Sequence, residues 1–79
     1  MQTMKVFGFN AVVHKEANRG YAARIKELHA NTQAKGMKEL ERNLKEVAKL
    51  MILDVLAHEK HYSKSTVSKA KSVVIRALA

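Results

Sequence analysis

The sequence contains no cysteine, no proline and no tryptophan among its 79 residues. Without cysteine, a disulfide staple, a thiolate nucleophile and a cysteine-based zinc site are all excluded. Only two tyrosines and two phenylalanines are present, which is few for a protein that stacks the bases of single-stranded nucleic acid on aromatic rings. The length allows one small domain. A domain of this size without disulfides or a structural metal often gains stability by oligomerising.

Long hydrophobic runs are also absent. The longest apolar stretch, residues 50–57, is interrupted by Asp54 and is too short to cross a bilayer. The start of the chain shows no continuous apolar segment of the kind that a secretory leader needs. These features predict a cytoplasmic protein that does not enter a membrane.

Acidic residues are scarce, with seven Asp and Glu against fifteen Lys and Arg and a net charge of +8. The imbalance is greatest over residues 60–79, which contain no acid at all. The basic residues of this segment are Lys60, Lys64, Lys69, Lys71 and Arg76. Such a segment predicts contact with an anionic partner, either nucleic acid or an acidic protein surface, with a merely solvated face as the alternative.

Residues 4–14 are rich in aromatic and β-branched side chains and predict one strand. Its two faces would carry Phe7, Phe9, Ala11 and Val13 on one side and Met4, Val6, Val12 and His14 on the other. Gly8 inside this run suggests a bulge or a close backbone approach. A turn over residues 15–20, in which Asn18 and Gly20 tolerate positive φ, then leads to a second strand over residues 21–27, and residues 30–34 predict a short third strand.

A long helix is predicted from Met37 to about residues 58–60, with Gly36 at the N-cap position. Glu41 and Lys45 are spaced for an ion pair on its outer face. The second half of the helix is apolar nearly all round, so another subunit or the C-terminal segment should cover it. The residues predicted to form an oligomer interface are Leu50, Ile52, Leu53 and Leu56.

The last element, over residues 66–78, has helical spacing, although its β-branched residues leave a fourth strand as the alternative. The predicted fold is therefore α+β, with a three-stranded antiparallel sheet packed on one long helix and followed by a short C-terminal helix or strand. Residues 1–62 would form the β-β-β-α module, and residues 63–79 a basic segment of the same domain.

Candidate catalytic constellations are few. Asp54, His58 and His61 share one side of the predicted helix end, and their side chains are suitable metal ligands, but solvated histidines at a fraying helix end are the favoured interpretation. His14 and His29 could approach each other across strand ends, yet no positioned pair of carboxylates accompanies them. The sequence therefore predicts a non-enzyme without a cofactor or a metal.

Four segments together resemble the HicB family of antitoxin-type proteins. They are FNAVVHKE at residues 9–16, GYAARIKEL at 20–28, TQA at 32–34 and MKELERNLKE at 37–46. The resemblance implies a partial RNase H-like β-β-β-α module without catalytic activity. It also implies a dimer or tetramer, and in the family this module covers a small RNA-cleaving HicA toxin while a C-terminal element binds operator DNA.

The chain departs from the family pattern in three places. Leu28, His29 and Ala30 replace the usual proline-glycine turn, the tail is too short for a complete helix-turn-helix, and the chain is basic where such antitoxins tend to be acidic. We therefore expect a HicB-like homo-oligomeric interaction protein, of phage or mobile-element type, whose partner is a toxin or a host protein. The alternative is a nucleic-acid-binding module that uses the C-terminal Lys and Arg side chains.

Overall fold

The computed structural model describes residues 2–17 and 20–78, the last of these in its backbone only. Its elements are four strands, β1 (Gln2–Val6), β2 (Phe9–Glu16), β3 (Gly20–Ile25) and β4 (Ala30–Ala34), followed by the helices α1 (Met37–Ala57) and α2 (Lys64–Leu78). Short 3₁₀ turns at Lys26–Leu28 and Glu59–His61 follow β3 and α1. The fold is α+β, with an antiparallel sheet packed against a long helix and a second helix.

The sheet has four strands in the order β1-β2-β3-β4, so the prediction of three strands was wrong. The run over residues 4–14 is broken at Phe7 and Gly8, whose φ angles are 52° and 83°. Two successive positive φ angles form the tight two-residue turn whose twist matches that of a hairpin. Gly8 is therefore the turn residue of a hairpin and not a bulge within one strand.

The turn at Phe7 and Gly8 also changes which side chains share a face of the sheet, so the predicted faces of the first strand were wrong. Because the chain reverses at residues 7 and 8, Val6 pairs with Phe9 and lies on the same face of the sheet. This face is the buried one, and the side chains that it supplies from β1 and β2 are Val6, Phe9, Ala11 and Val13. Phe7 lies in the turn and is only half-buried.

The rest of the sheet agrees with the predicted alternation. Ala23 and Ile25 of β3 are buried and Tyr21 is half-buried, as expected for one face of a half-covered strand. The strand ends at residue 25 and not at 27, because the 3₁₀ turn that follows places Leu28 in the core and His29 in the left-handed conformation at φ 55°. The turn predicted over residues 15–20 was too long, because β2 continues to Glu16 and β3 begins at Gly20. Asn18 and Arg19 lie outside the described residues.

The helices cover one face of the sheet. Leu40, Leu44, Ala48, Ile52 and Val55 form the buried side of α1. The predicted Glu41–Lys45 ion pair is present, at 3.4 Å between the Lys45 Nζ and Glu41 Oε1 atoms. The C-terminal element is a helix and not a strand, and its Thr66, Val67 and Ala70 are buried against the same core.

Candidate functional site

The first candidate site is an apolar patch on the solvent side of α1. Leu50 and Leu53 are 67% and 61% exposed, although both are large aliphatic side chains. They lie one helical turn apart, and the exposed Ala57 and the half-buried Leu56 extend the apolar surface toward the C-terminal end of the helix. We call Leu50, Leu53, Leu56 and Ala57 the α1 patch.

One residue of the predicted interface does not belong to this surface. Ile52 is only 3% exposed, because it lies on the side of α1 that packs into the core. Any second copy could therefore reach Leu50, Leu53 and Leu56 but not Ile52. The sequence could not separate these positions, since residues 50–57 are apolar on nearly every side of the helix.

The second candidate site is the C-terminal basic set, and two of its five members are engaged within the chain. The Lys69 Nζ atom lies 3.2 Å from the Glu27 Oε2 atom and 5.3 Å from the centre of the Phe9 ring. The Lys71 Nζ atom lies 3.6 Å from the Glu59 Oε1 atom. Lys69 thus helps to attach α2 to the sheet, which leaves it less available to an outside partner.

The remaining basic residues, Lys60, Lys64 and Arg76, are exposed. Lys60 lies in the 3₁₀ turn before α2, whereas Lys64 and Arg76 lie on a face of α2 that carries hydroxyl groups and no acid. The exposed polar side chains of this helix are Lys64, Ser65, Ser68, Lys71, Ser72 and Arg76. Hydroxyl and cationic side chains are the groups that most often contact phosphates in complexes with nucleic acids.

A third cluster lies at the junction between α1 and α2. The Tyr62 hydroxyl donates a hydrogen bond of 2.6 Å to the Asp54 Oδ2 atom, and the His58 Nδ1 atom lies 3.1 Å from the Asp54 Oδ1 atom. The His29 ring packs edge-on against the Tyr62 ring at 5.5 Å, and the His58 and His61 rings lie 6.1 Å apart. This cluster connects the end of α1 to the segment that leads into α2.

The spacing of Asp54 and Tyr62 in the sequence does not indicate that these residues are partners. The helix was expected to continue to about residues 58–60, and eight helical residues would separate the two side chains by about 12 Å along the axis. In the structure α1 ends at Ala57, and the 3₁₀ turn Glu59–His61 brings Tyr62 back against Asp54. Only this change of direction reveals the pair.

The histidines form neither a metal site with Asp54 nor a pair between His14 and His29. In the described part of the chain, no group of three or more His, Cys, Asp or Glu side chains is placed to hold a metal ion. His14 lies level with Ala22 in β3, whereas His29 precedes Ala30, which pairs with Ile25 at the other end of that strand. His14 and His29 are therefore not brought together.

The junction cluster predicts an unusual tyrosine titration. The hydrogen bond to Asp54 raises the pKa of Tyr62 to about 12 and lowers the pKa of the Asp54 carboxyl group. Protonated Tyr62 therefore stabilises the folded state fully below about pH 10, and this contribution is lost as the pH rises toward about 12. Ionised Asp54 acts in the opposite direction, since its contribution is lost as the pH falls through its lowered pKa.

Ultraviolet absorbance of tyrosinate measures this titration directly in a Tyr21→Phe variant, where Tyr62 is the remaining tyrosine. The midpoint is expected near 12. Adding Asp54→Asn removes the negative charge but keeps a hydrogen-bond acceptor, so the midpoint should fall toward about 10. An unchanged midpoint in the Asp54→Asn variant would show that the carboxylate does not hold the phenol.

Comparisons with known proteins add no relative to this description: no protein-family model, curated protein or solved structure matches the chain. Within the described residues, no helix is both long and apolar enough to span a membrane. Function is therefore inferred from the surfaces themselves.

Proposed function

We propose that this chain is a non-enzymatic, HicB-like interaction protein that acts as a homo-oligomer through protein–protein contacts. One observation carries the proposal, namely the side-by-side exposure of Leu50 and Leu53 on the solvent side of α1. Isolated exposed apolar side chains are ordinary on protein surfaces. Two leucines one turn apart, continued by Leu56 and Ala57, instead form a continuous apolar surface, which is typical of an interaction site.

A second copy fits the α1 patch by simple symmetry. Most homo-oligomers are closed by a two-fold axis, which places the same surface of each copy in contact. If two α1 helices cross antiparallel about an axis that passes between Leu50 and Leu53 on the exposed side, Leu50 of one copy meets Leu53 of the other. Each copy would then remove Leu50 and Leu53 from water, at about 25 cal/mol per Å² of apolar surface buried.

The polar side chains support a role without catalysis. The Asp54 carboxylate is hydrogen-bonded to both Tyr62 and His58 near the surface of the molecule, so it already has partners within the chain. A general base is instead expected to lie within reach of a bound substrate. The arrangement at the helix junction serves to join two elements of the fold.

The test is the oligomeric state, measured by light scattering over a dilution series for the wild type, Leu53→Lys and Ile75→Lys. Ile75 is 67% exposed on α2 and provides a control with the same added charge at a matched exposure. We expect self-association in the wild type and in Ile75→Lys, and at least tenfold weaker association in Leu53→Lys, because a buried ammonium opposes apolar contact. A wild-type monomer at every concentration would overturn the proposal, as would equal losses in both variants.

Nucleic-acid binding is the second candidate, and the acid-free polar face of α2 favours it. Its cations and hydroxyl groups would contact the phosphate backbone, giving weak binding that depends strongly on salt. Replacing Lys64 and Arg76 by alanine should reduce the slope of log affinity against log salt by roughly 2. Absence of a mobility shift for the wild type at low ionic strength would end this candidate.

A further inference from the structure

The two edge strands of the sheet differ in what packs against them. At the β4 edge, α1 packs along the strand, and the Asn43 side-chain amide donates a hydrogen bond of 3.4 Å to the Gln33 carbonyl oxygen. At the other edge, β1 pairs with β2 on one side, and no strand or helix in the described part of the chain pairs with its other side. The outer edge of β1 therefore presents backbone donors and acceptors to a partner.

The register of the hairpin identifies these groups. Val6 and Phe9 flank a two-residue turn, so their backbones form the hydrogen-bonded pair that closes it. Hydrogen-bonded positions alternate along an antiparallel pair, and the backbones of Gln2 and Met4 therefore also point toward β2. Thr3 and Lys5 consequently direct their N–H and C=O groups outward.

We infer that β1 pairs antiparallel with β1 of a second copy, about a two-fold axis at Met4, to form a continuous eight-stranded sheet. In this register, Thr3 of each copy lies opposite Lys5 of the other. Each of these two pairs exchanges two backbone hydrogen bonds, so all four outward groups of each copy are used. The two Met4 side chains, each half-buried in its own chain, meet on the face that the helices cover.

Charge disfavours the register that is centred on Lys5. An axis at Lys5 would place the two Lys5 side chains directly opposite each other, which is unfavourable for like charges across a strand pair. With the axis at Met4, the lysine of one copy faces the neutral threonine of the other. Lys5 thus acts as a register-setting residue, although a lysine on an edge strand ordinarily discourages pairing.

This interface goes beyond the proposed function, because it uses a different surface from the α1 patch. The α1 helix lies along β4, at the opposite edge of the sheet from β1. The two interfaces are therefore independent, and either can fail without the other. If both form, the assembly contains an even number of copies and is larger than a dimer.

The test is a charge exchange across the inferred strand pair. Thr3→Lys places like charges opposite each other twice in the dimer, whereas within the chain residue 3 pairs only with the uncharged Val12. We expect the dissociation constant, measured by sedimentation over a dilution series, to rise roughly tenfold. Adding Lys5→Glu restores opposite charges across the pair and should return the constant to near the wild-type value.

Asn31→Lys is the matched control, because it adds the same charge to the same face of the sheet on the strand that α1 covers. Equal effects of Thr3→Lys and Asn31→Lys, or failure of Lys5→Glu to rescue Thr3→Lys, would overturn the inferred pairing. Hydrogen exchange supplies a second readout, since the Thr3 and Lys5 amides should be protected only in the associated protein. Association that is weakened by Leu53→Lys but not by Thr3→Lys would overturn the β1 interface and leave the α1 patch standing.

Discussion

Replacing Leu44 with alanine is expected to lower the free energy of unfolding by about 2–5 kcal/mol. Leu44 lies in the middle of α1 and is fully buried against the sheet. Truncation removes buried methyl groups and leaves a cavity that the surrounding side chains fill only in part. A domain of this size has a total stability of roughly 4–12 kcal/mol, so the variant should be partly unfolded at mild denaturant concentrations.

Leu50→Ala is the control for this measurement, since it makes the same substitution on the same helix at a side chain that is 67% exposed. Its effect on the folded monomer should stay within about 0.5 kcal/mol. Urea unfolding followed by circular dichroism, at concentrations where the protein is monomeric, compares the two variants. Similar losses in both would contradict the assignment of Leu44 to the core and Leu50 to the surface.

Replacing Gly8 with valine is expected to cost about 1–2 kcal/mol. Gly8 has a φ of 83°, and no atom outside its immediate chain neighbours lies within 4 Å of where a Cβ atom would be placed. The expected loss therefore comes from the backbone conformation and not from a steric clash with the rest of the fold. A β-branched side chain is especially unfavourable at positive φ.

Gly8→Asn separates this explanation from a simple loss of glycine. Asparagine tolerates the left-handed conformation better than other residues with a side chain, so its cost should be less than half that of valine. Both free energies come from the same denaturant titrations. A valine variant as stable as the wild type would mean that residues 7 and 8 do not form the tight turn, and that β1 and β2 are not a hairpin.

The helical half of the chain was largely predictable. The apolar spacing from Met37 predicts α1 at its observed start, and the helical pattern of residues 66–78 falls within α2. The helical spacing is visible in the sequence because a helix buries apolar side chains along one continuous side. The spacing alone does not fix the buried side of α1, since Val47 and Met51 continue the apolar spacing from Met37 yet are only half-buried, whereas Ala48 and Ile52 are buried.

The first strand was not predictable in the same way. Residues 4–14 keep an apolar pattern straight through the turn, and Phe7 occupies a position where asparagine or glycine is the usual signal. A bulky side chain at φ 52° gives no local indication of a reversal. The half-burial of Phe7 against the core offers a tertiary contact that can offset this local cost.

The sequence by itself determined the α+β class, the start of α1 and the excess of positive charge, because these depend on composition and local periodicity. Tertiary structure decided which leucines of α1 are exposed, which lysines are engaged with Glu27 and Glu59, and which sheet edge is left for pairing. These properties depend on contacts between residues far apart in the chain, such as Lys69 with Glu27. A pattern that repeats every two to four residues carries no information about such distances.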